Sequence, residues 1–325
     1  MRKLRFAALA AIVLLPLAYF LGPRIEVTGA VTLPDVPQDV EAYIAKVEAG
    51  YGNVIPGTER KIIWAFEDKR KTPLSVIYLP GFSATRQESA PFADEIAEAL
   101  GANLYYARLR GHGQPPTFLG QSTADQWVED AAESFAIGER LGERVVVIGV
   151  STGATAATQV LLQTNPRVAA LVFMSPNFGA AQFGASLTAG PWGKELTQLT
   201  VGSTFSWGEL KPEHQAVWTN NFPSDVLPQV AGLVGLVRKQ SLKKITAPTL
   251  FLYSEKDTVI DYERVLVKFD ELGSTEKKLV HITNSDNPSN HVLAGKLVSQ
   301  ASHKVAVEKT LAFLRQFLET ATARR

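Results

Sequence analysis

Three observations predict an α/β fold, a mostly parallel, doubly wound sheet with a helical lid inserted after the sixth strand. Strand-like apolar runs alternate with helical patterns from Lys61 to Thr320. One of those strands runs through Ser151 straight into a helix of small residues. About seventy residues between Pro176 and Pro248 then interrupt the rhythm.

The alternation comes first. Strands are predicted at Lys61 to Phe66, Leu74 to Leu79, Asn103 to Ala107, Val145 to Val150, Ala169 to Met174, Thr249 to Tyr253 and Lys278 to Ile282. Helices are predicted at Ala90 to Leu100, Ala124 to Leu141, Thr152 to Thr164, Asp261 to Leu272 and Ala301 to Thr320. Strands separated by helices cannot pair as hairpins, so they lie parallel and are covered on both faces. Ser122 or Thr123 reads as the N-cap of the second helix and Trp127 as core packing. Upstream, Pro34, Pro37 and Pro56 bracket an amphipathic stretch, Asp39 to Glu48, expected as one helix over the core entrance or a membrane surface.

The serine comes second. Gly149-Val-Ser-Thr-Gly153 is a Gly-x-Ser-x-Gly pentapeptide, which chance alone would place in about one chain of this length in ten. Its setting adds the specificity, because Val145 to Val150 is a buried strand and Ala154 to Leu162 a small-residue helix. A strand turning this sharply lifts the serine hydroxyl above the sheet, and glycines on either side let strand and helix approach. A serine hydroxyl is a poor nucleophile unless a base takes its proton and a third group orients that base. In an open parallel sheet those partners come from the carboxyl ends of later strands. Asp257, just past the strand Thr249 to Tyr253, is the candidate acid, with Glu255 and Asp261 as rivals and helix capping as its ordinary alternative. His291, in the polar loop after the last strand, is the candidate base. His281 lies on that strand, His303 faces a helix and His214 falls in the insertion.

The insertion comes third. It carries Phe183, Trp192, Phe205, Trp207, Trp218 and Phe222, which either fill a small core of their own or line the inner face of a lid. Phe82, Phe178, Phe183, Trp207 and Trp218 are the candidates for substrate contact. The boundaries drawn are 1–24 for an N-terminal signal or anchor, 25–59 for an extension, 60–178 with 246–325 for the core, and 179–245 for the lid.

Composition narrows the class. The chain has 325 residues, 46% hydrophobic and 20% charged, which suits one large core with an insertion. Its 33 basic and 32 acidic side chains leave no electrostatic footprint for nucleic acid. With no cysteine, a thiol nucleophile and thiolate metal sites are excluded, and the five histidines lack ligand spacing. Arg2, Lys3 and Arg5 precede the uncharged stretch Phe6 to Gly22. As a helix it would span roughly 25 Å against a hydrocarbon core of about 30 Å. An uncleaved signal-anchor or a cleaved export signal is expected, with the body at the periplasmic side of the inner membrane or released beyond it.

The elbow, the order Ser, Asp, His and the mid-chain insertion together resemble the alpha/beta-hydrolase superfamily, in its bacterial esterase, lipase and monoacylglycerol-lipase-like members, over about residues 60 to 320. The resemblance implies a serine hydrolase that cleaves carboxylic esters and needs no cofactor or metal, and the aromatic insertion and membrane-proximal N-terminus favour apolar acyl groups, such as those of a lipid-derived monoester. It implies an oxyanion hole built from the backbone N–H of Thr152 and a second from the loop after the family's third strand. Here that loop reads Tyr78-Leu-Pro-Gly-Phe-Ser-Ala84, making Phe82 the second donor. Pro80 stands where many relatives carry histidine, which argues against bulky tertiary alcohols in the substrate. Arg108-Leu-Arg-Gly-His-Gly113 looks like another loop of the family, mainly structural, with Arg110 holding neighbouring loops and His112 a minor catalytic candidate. An acyltransferase, thioesterase or amidase using the same site is the first alternative. A non-catalytic binding protein of the same fold is the second, although such proteins have usually lost a triad member.

Overall fold

The computed structural model describes residues 14 and 16–323. Seven strands form the main sheet, and two more form a separate pair. In chain order they are β1 (Lys61–Ile63), β2 (Thr72–Leu79), β3 (Asn103–Tyr106), β4 (Gly142–Val150), β5 (Val168–Met174), β6 (Thr204–Phe205), β7 (Phe222–Pro223), β8 (Thr249–Tyr253) and β9 (Lys277–His281). The sheet order is β1-β3-β2-β4-β5-β8-β9, parallel throughout except for the antiparallel edge pair β1 and β3. The expected first strand stops at Ile63, three residues short, because β3 offers it only three partners.

Helices cover both faces. They are α1 (Val40–Ala49), α2 (Phe92–Leu100), α3 (Pro116–Gln121), α4 (Ala124–Leu141), α5 (Thr152–Gln163), α6 (Gly193–Val201), α7 (Pro212–Gln215), α8 (Leu227–Arg238), α9 (Tyr262–Glu271) and α10 (Gln300–Ala323). Side chains alternate between faces along each strand, so one apolar strand feeds two cores. On β4, Val145 and Val147 join one buried cluster with α4, α5 and α9, while Val146, Ile148 and Val150 join the other with α2 and α10. Thr123 is the N-cap of α4, and Gln126 completes a capping box with it. Trp127 is wholly buried and donates its indole N–H to the Arg110 carbonyl at 3.1 Å.

Two segments differ from expectation. α1 does not lie over an entrance; Val36, Val40 and Ile44 enter the larger core, and Glu48 takes a 2.5 Å bond from the buried Arg108 guanidinium. The amphipathic stripe is legible in the sequence, but only the tertiary partner decides which surface it meets. In the insertion, Phe222, Val226, Leu233 and Val237 do not form a core of their own but extend the main cluster, and α8 packs against α5. β6 and β7 touch that shared core through Phe205 and Phe222, α6 and α7 contribute no residue to it, and the insertion follows the fifth strand of the sheet, β5, not a sixth.

Most of the expected N-terminal signal or anchor, residues 1–13 and 15, lies outside the described residues. The described part runs helically through residues 16–20, and no described helix is long and apolar enough to cross a membrane.

Candidate active site

Ser151 sits between β4 and α5 with φ 50° and ψ −118°, a backbone conformation that a side chain adopts only when its surroundings impose it. The surroundings are close. A Cβ on Gly149 would come within 2.8 Å of the Ala154 Cα, and one on Gly153 within 2.4 Å of the Leu79 and Pro80 carbonyl oxygens. Both glycines are therefore steric requirements of the turn. The Ser151 N–H donates to the Met174 carbonyl at 3.0 Å, and the Ser151 carbonyl accepts from Asn177 N–H at 3.2 Å. The turn is thereby tied to the end of β5.

The same end of β5 carries the histidine loop. Ser175 Oγ donates to the His291 carbonyl at 2.6 Å and the Leu293 N–H meets Met174 Sδ at 3.2 Å, while Ser299 and Ser302 hold the Val292 and Leu293 carbonyls. Met174 and Ser175 thus bridge the Ser151 turn to the histidine. His291 Nδ1 lies 2.8 Å from Asp257 Oδ2, with both residues buried. The other aspartate oxygen, Oδ1, accepts from Val259 N–H at 2.8 Å and Ile260 N–H at 3.0 Å. Those two bonds fix the carboxylate so that Oδ2 faces the ring. Nδ1 then carries the proton, leaving Nε2 as the basic nitrogen.

The rival residues are employed elsewhere. Asp261 caps α9 by accepting from Glu263 N–H at 3.0 Å, and Glu255 is an exposed side chain beside His281. His281 stacks on Tyr253, His303 contacts Glu95, and His214 packs edge-on against Trp218.

The Phe82 and Thr152 amides donate to no protein acceptor among the described residues, although each is flanked by buried residues. The loop between Pro80 and Thr85 is held from three directions. Gly81 carbonyl accepts from Ala84 N–H at 3.1 Å, closing a turn. Ser83, at φ 63°, donates its N–H to His112 Nε2 at 2.9 Å, and His112 Nδ1 faces the Arg110 carbonyl at 3.0 Å. Burial pushes the His112 imidazole down to about 4, so it stays neutral and can accept at Nε2 while donating at Nδ1. His112 is thus a support for the loop, and Arg110 pairs with Asp130 and Glu129 on α4.

The third support comes from the insertion. Ala84 bridges Trp218 in antiparallel fashion, Thr219 N–H donates to the Ser83 carbonyl at 2.8 Å, and Trp207 Nε1 donates to Ser83 Oγ at 2.9 Å. Trp218 also lines a cavity of about 610 Å3 with Thr85, Pro115 and Asn220, and Ser151 is not part of that lining. Phe82 packs edge-on against His112, Trp127 and Phe222. Phe178 is wholly buried beside Phe251, and Phe183 is wholly exposed, so neither is placed on an inner wall beside the serine. Apolar character is readable from the sequence for both; the direction each faces is not.

One side chain under the loop between Pro80 and Thr85 is not legible in the sequence, Glu88, which accepts from the Gly81 N–H. Thr85-Arg-Gln-Glu88 has the spacing of a helix capping box, which suggests a surface carboxylate, yet the Glu88 side chain is buried under the loop. Among the described residues, no cluster of three or more His, Asp and Glu side chains is placed to hold a metal ion.

Comparison with known proteins agrees with this architecture. Residues 71–285 match the family model described as serine aminopeptidase, S33. A thermostable monoacylglycerol lipase from Bacillus sp. (strain H-257) is 27% identical over 216 residues, covering 66% of this chain and 82% of that protein. Among solved structures, a metagenome-derived lipolytic enzyme superposes with TM-score 0.64 at 20% identity, over 81% of this chain and all of the other. A monoacylglycerol lipase from Paleococcus ferrophilus superposes with TM-score 0.56 at 18% identity, over 78% of this chain and 98% of that one. The family model spans about two thirds of the sequence, so the chain belongs to the serine aminopeptidase S33 family of alpha/beta hydrolases and is of the esterase and lipase type within that fold.

Proposed function

We propose that this chain hydrolyses carboxylic esters with apolar acyl groups through Ser151, His291 and Asp257. The observation that carries the reading is the 2.8 Å His291–Asp257 bond, held beside a serine turn at φ 50° by the shared Met174–Ser175 segment. His291 Nε2 takes the proton from Ser151 Oγ as that oxygen attacks the ester carbonyl. The Phe82 and Thr152 amides receive the oxyanion, and collapse of the adduct expels the alcohol with the proton that His291 took up. Water, deprotonated by the same nitrogen, then attacks the acyl-serine and frees the acid. The aromatic cluster of Phe82, Phe205 and Trp207, backed by the buried Phe222, favours an apolar acyl chain, with the insertion acting as lid. A lipid-derived monoester is the natural substrate class, in line with the substrate named for the Bacillus relative.

The test is a p-nitrophenyl ester series from acetate to palmitate, run beside aminoacyl p-nitroanilides. Turnover of esters with an optimum above acetate is expected. Cleavage of the anilides with no ester turnover would replace this reading with the aminopeptidase activity in the family's name.

The body is held at the periplasmic side of a membrane by its N-terminal segment. Supporting this, the described end of the segment seats on the insertion, where Trp192 donates its N–H to Pro23 and its indole N–H to Ala18. Leu14, Leu17, Phe20 and Leu21 stay exposed there, as do Phe183, Leu187 and Leu199 of the insertion. Carbonate washing is expected to leave the full-length protein in the membrane pellet; recovery as a soluble, shortened chain would instead mean cleavage.

A further inference from the structure

Glu88 is a carboxyl group with 2% exposure, on the short 3-10 turn Arg86–Ser89 that follows the oxyanion loop. No lysine or arginine pairs with it among the described residues. Its Oε1 accepts from the Gly81 N–H at 2.7 Å and from the Tyr78 hydroxyl at 2.9 Å. Ser89 Oγ donates to that hydroxyl at 2.7 Å, so the tyrosine's own proton is directed to Glu88. A buried carboxyl without a cation is costly, and surface capping would not require it here.

Gly81 lies between this group and the nucleophile. A Cβ there would be 3.1 Å from Glu88 Oε2 and 3.4 Å from the Ser151 Cβ. The peptide that carries the Phe82 N–H is held at its carbonyl by Ala84, and its pivot, the Gly81 nitrogen, is held by Glu88. We propose that Glu88 is a positioning residue, whose Oε1 sets the Gly81 peptide and through it aims the Phe82 amide at the developing oxyanion. The inference rests on the ester-hydrolase reading and names a support that the triad does not include.

A second consequence is electrostatic. Burial pushes the Glu88 carboxyl up to about 7, against the bonds from Gly81 and Tyr78 and the attraction of His291. The titratable groups acting on it are thus Tyr78 from β2 and His291 from the loop beyond β9, while Lys296 and Glu95, outside Gly295, pair with each other. Because the folded value lies above the ordinary 4.5, the folded chain holds this proton more tightly. The associated stability is present below about 4.5 and is lost as pH rises through about 7.

The experiment compares Glu88→Ala and Glu88→Gln, with active sites counted by a serine-directed phosphonate. Glu88→Ala is expected to lower kcat by about 10- to 100-fold with KM within about threefold, and to weaken a trifluoromethyl ketone in parallel. Glu88→Gln keeps an acceptor oxygen for both donors, so kcat is expected within about threefold of wild type. With no proton to release at this position, its stability no longer falls between about pH 4.5 and 7. Wild-type kcat in Glu88→Ala, or a kcat lowered tenfold or more in folded Glu88→Gln, overturns the proposal; the second arm decides if the alanine variant does not fold. An enzyme inert on every ester would overturn the ester reading instead, and ketone affinity would still report on the loop.

Discussion

Ser151→Ala is expected to lower kcat for the preferred ester by roughly a million-fold while leaving the fold in place. The residual rate would come from the Phe82 and Thr152 amides and from substrate binding, which do not involve the hydroxyl. The serine's φ of 50° also ties activity to stability. A non-glycine residue held there costs about 1 to 3 kcal/mol, so Ser151→Gly should melt at a higher temperature than Ser151→Ala. Stopped-time hydrolysis and calorimetry on matched preparations check both statements. An alanine variant retaining a tenth of wild-type kcat would remove Ser151 from the chemistry.

Asp257→Asn is expected to lower kcat by about 10,000-fold, and to be at least as damaging as Asp257→Ala. The reason lies in the two backbone donors. Val259 and Ile260 N–H both require an acceptor, so the asparagine oxygen takes the place of Oδ1 and its NH2 group must face His291. Nδ1 would then accept, the ring proton would move to Nε2, and the nitrogen that must take the serine proton would already carry one. Asp257→Ala lets water meet Nδ1 and leaves the tautomer free. Steady-state kinetics on the three proteins decides the matter, and an asparagine variant far more active than the alanine one would mean that this orientation argument is wrong.

Much of this architecture is legible in the order of residues. The alternation of strands and helices marks every strand of the main sheet, with each end placed to within about three residues, because buried parallel strands read as continuous apolar runs. The serine turn is legible because sterics force small residues at Gly149 and Gly153. The placement of Asp257 and His291 follows from where a parallel sheet delivers its loops. Glu88, by contrast, reads locally as a surface capping residue and sits buried under the loop between Pro80 and Thr85. Phe178 and Phe183 are close in the chain and equally apolar, yet one is core and the other fully exposed.

Sequence by itself determined the sheet class, the strained serine turn and the residue types near it, since these depend on periodicity and backbone sterics within short segments. Tertiary structure alone decided which acid meets His291, which way each aromatic of the insertion faces, and that Ser83, His112, Trp207 and Glu88 converge on one loop. Those are contacts between residues as much as 124 positions apart, such as Ser83 and Trp207. No local pattern encodes them, because a hydrogen bond's partner is chosen by the packing of the whole core.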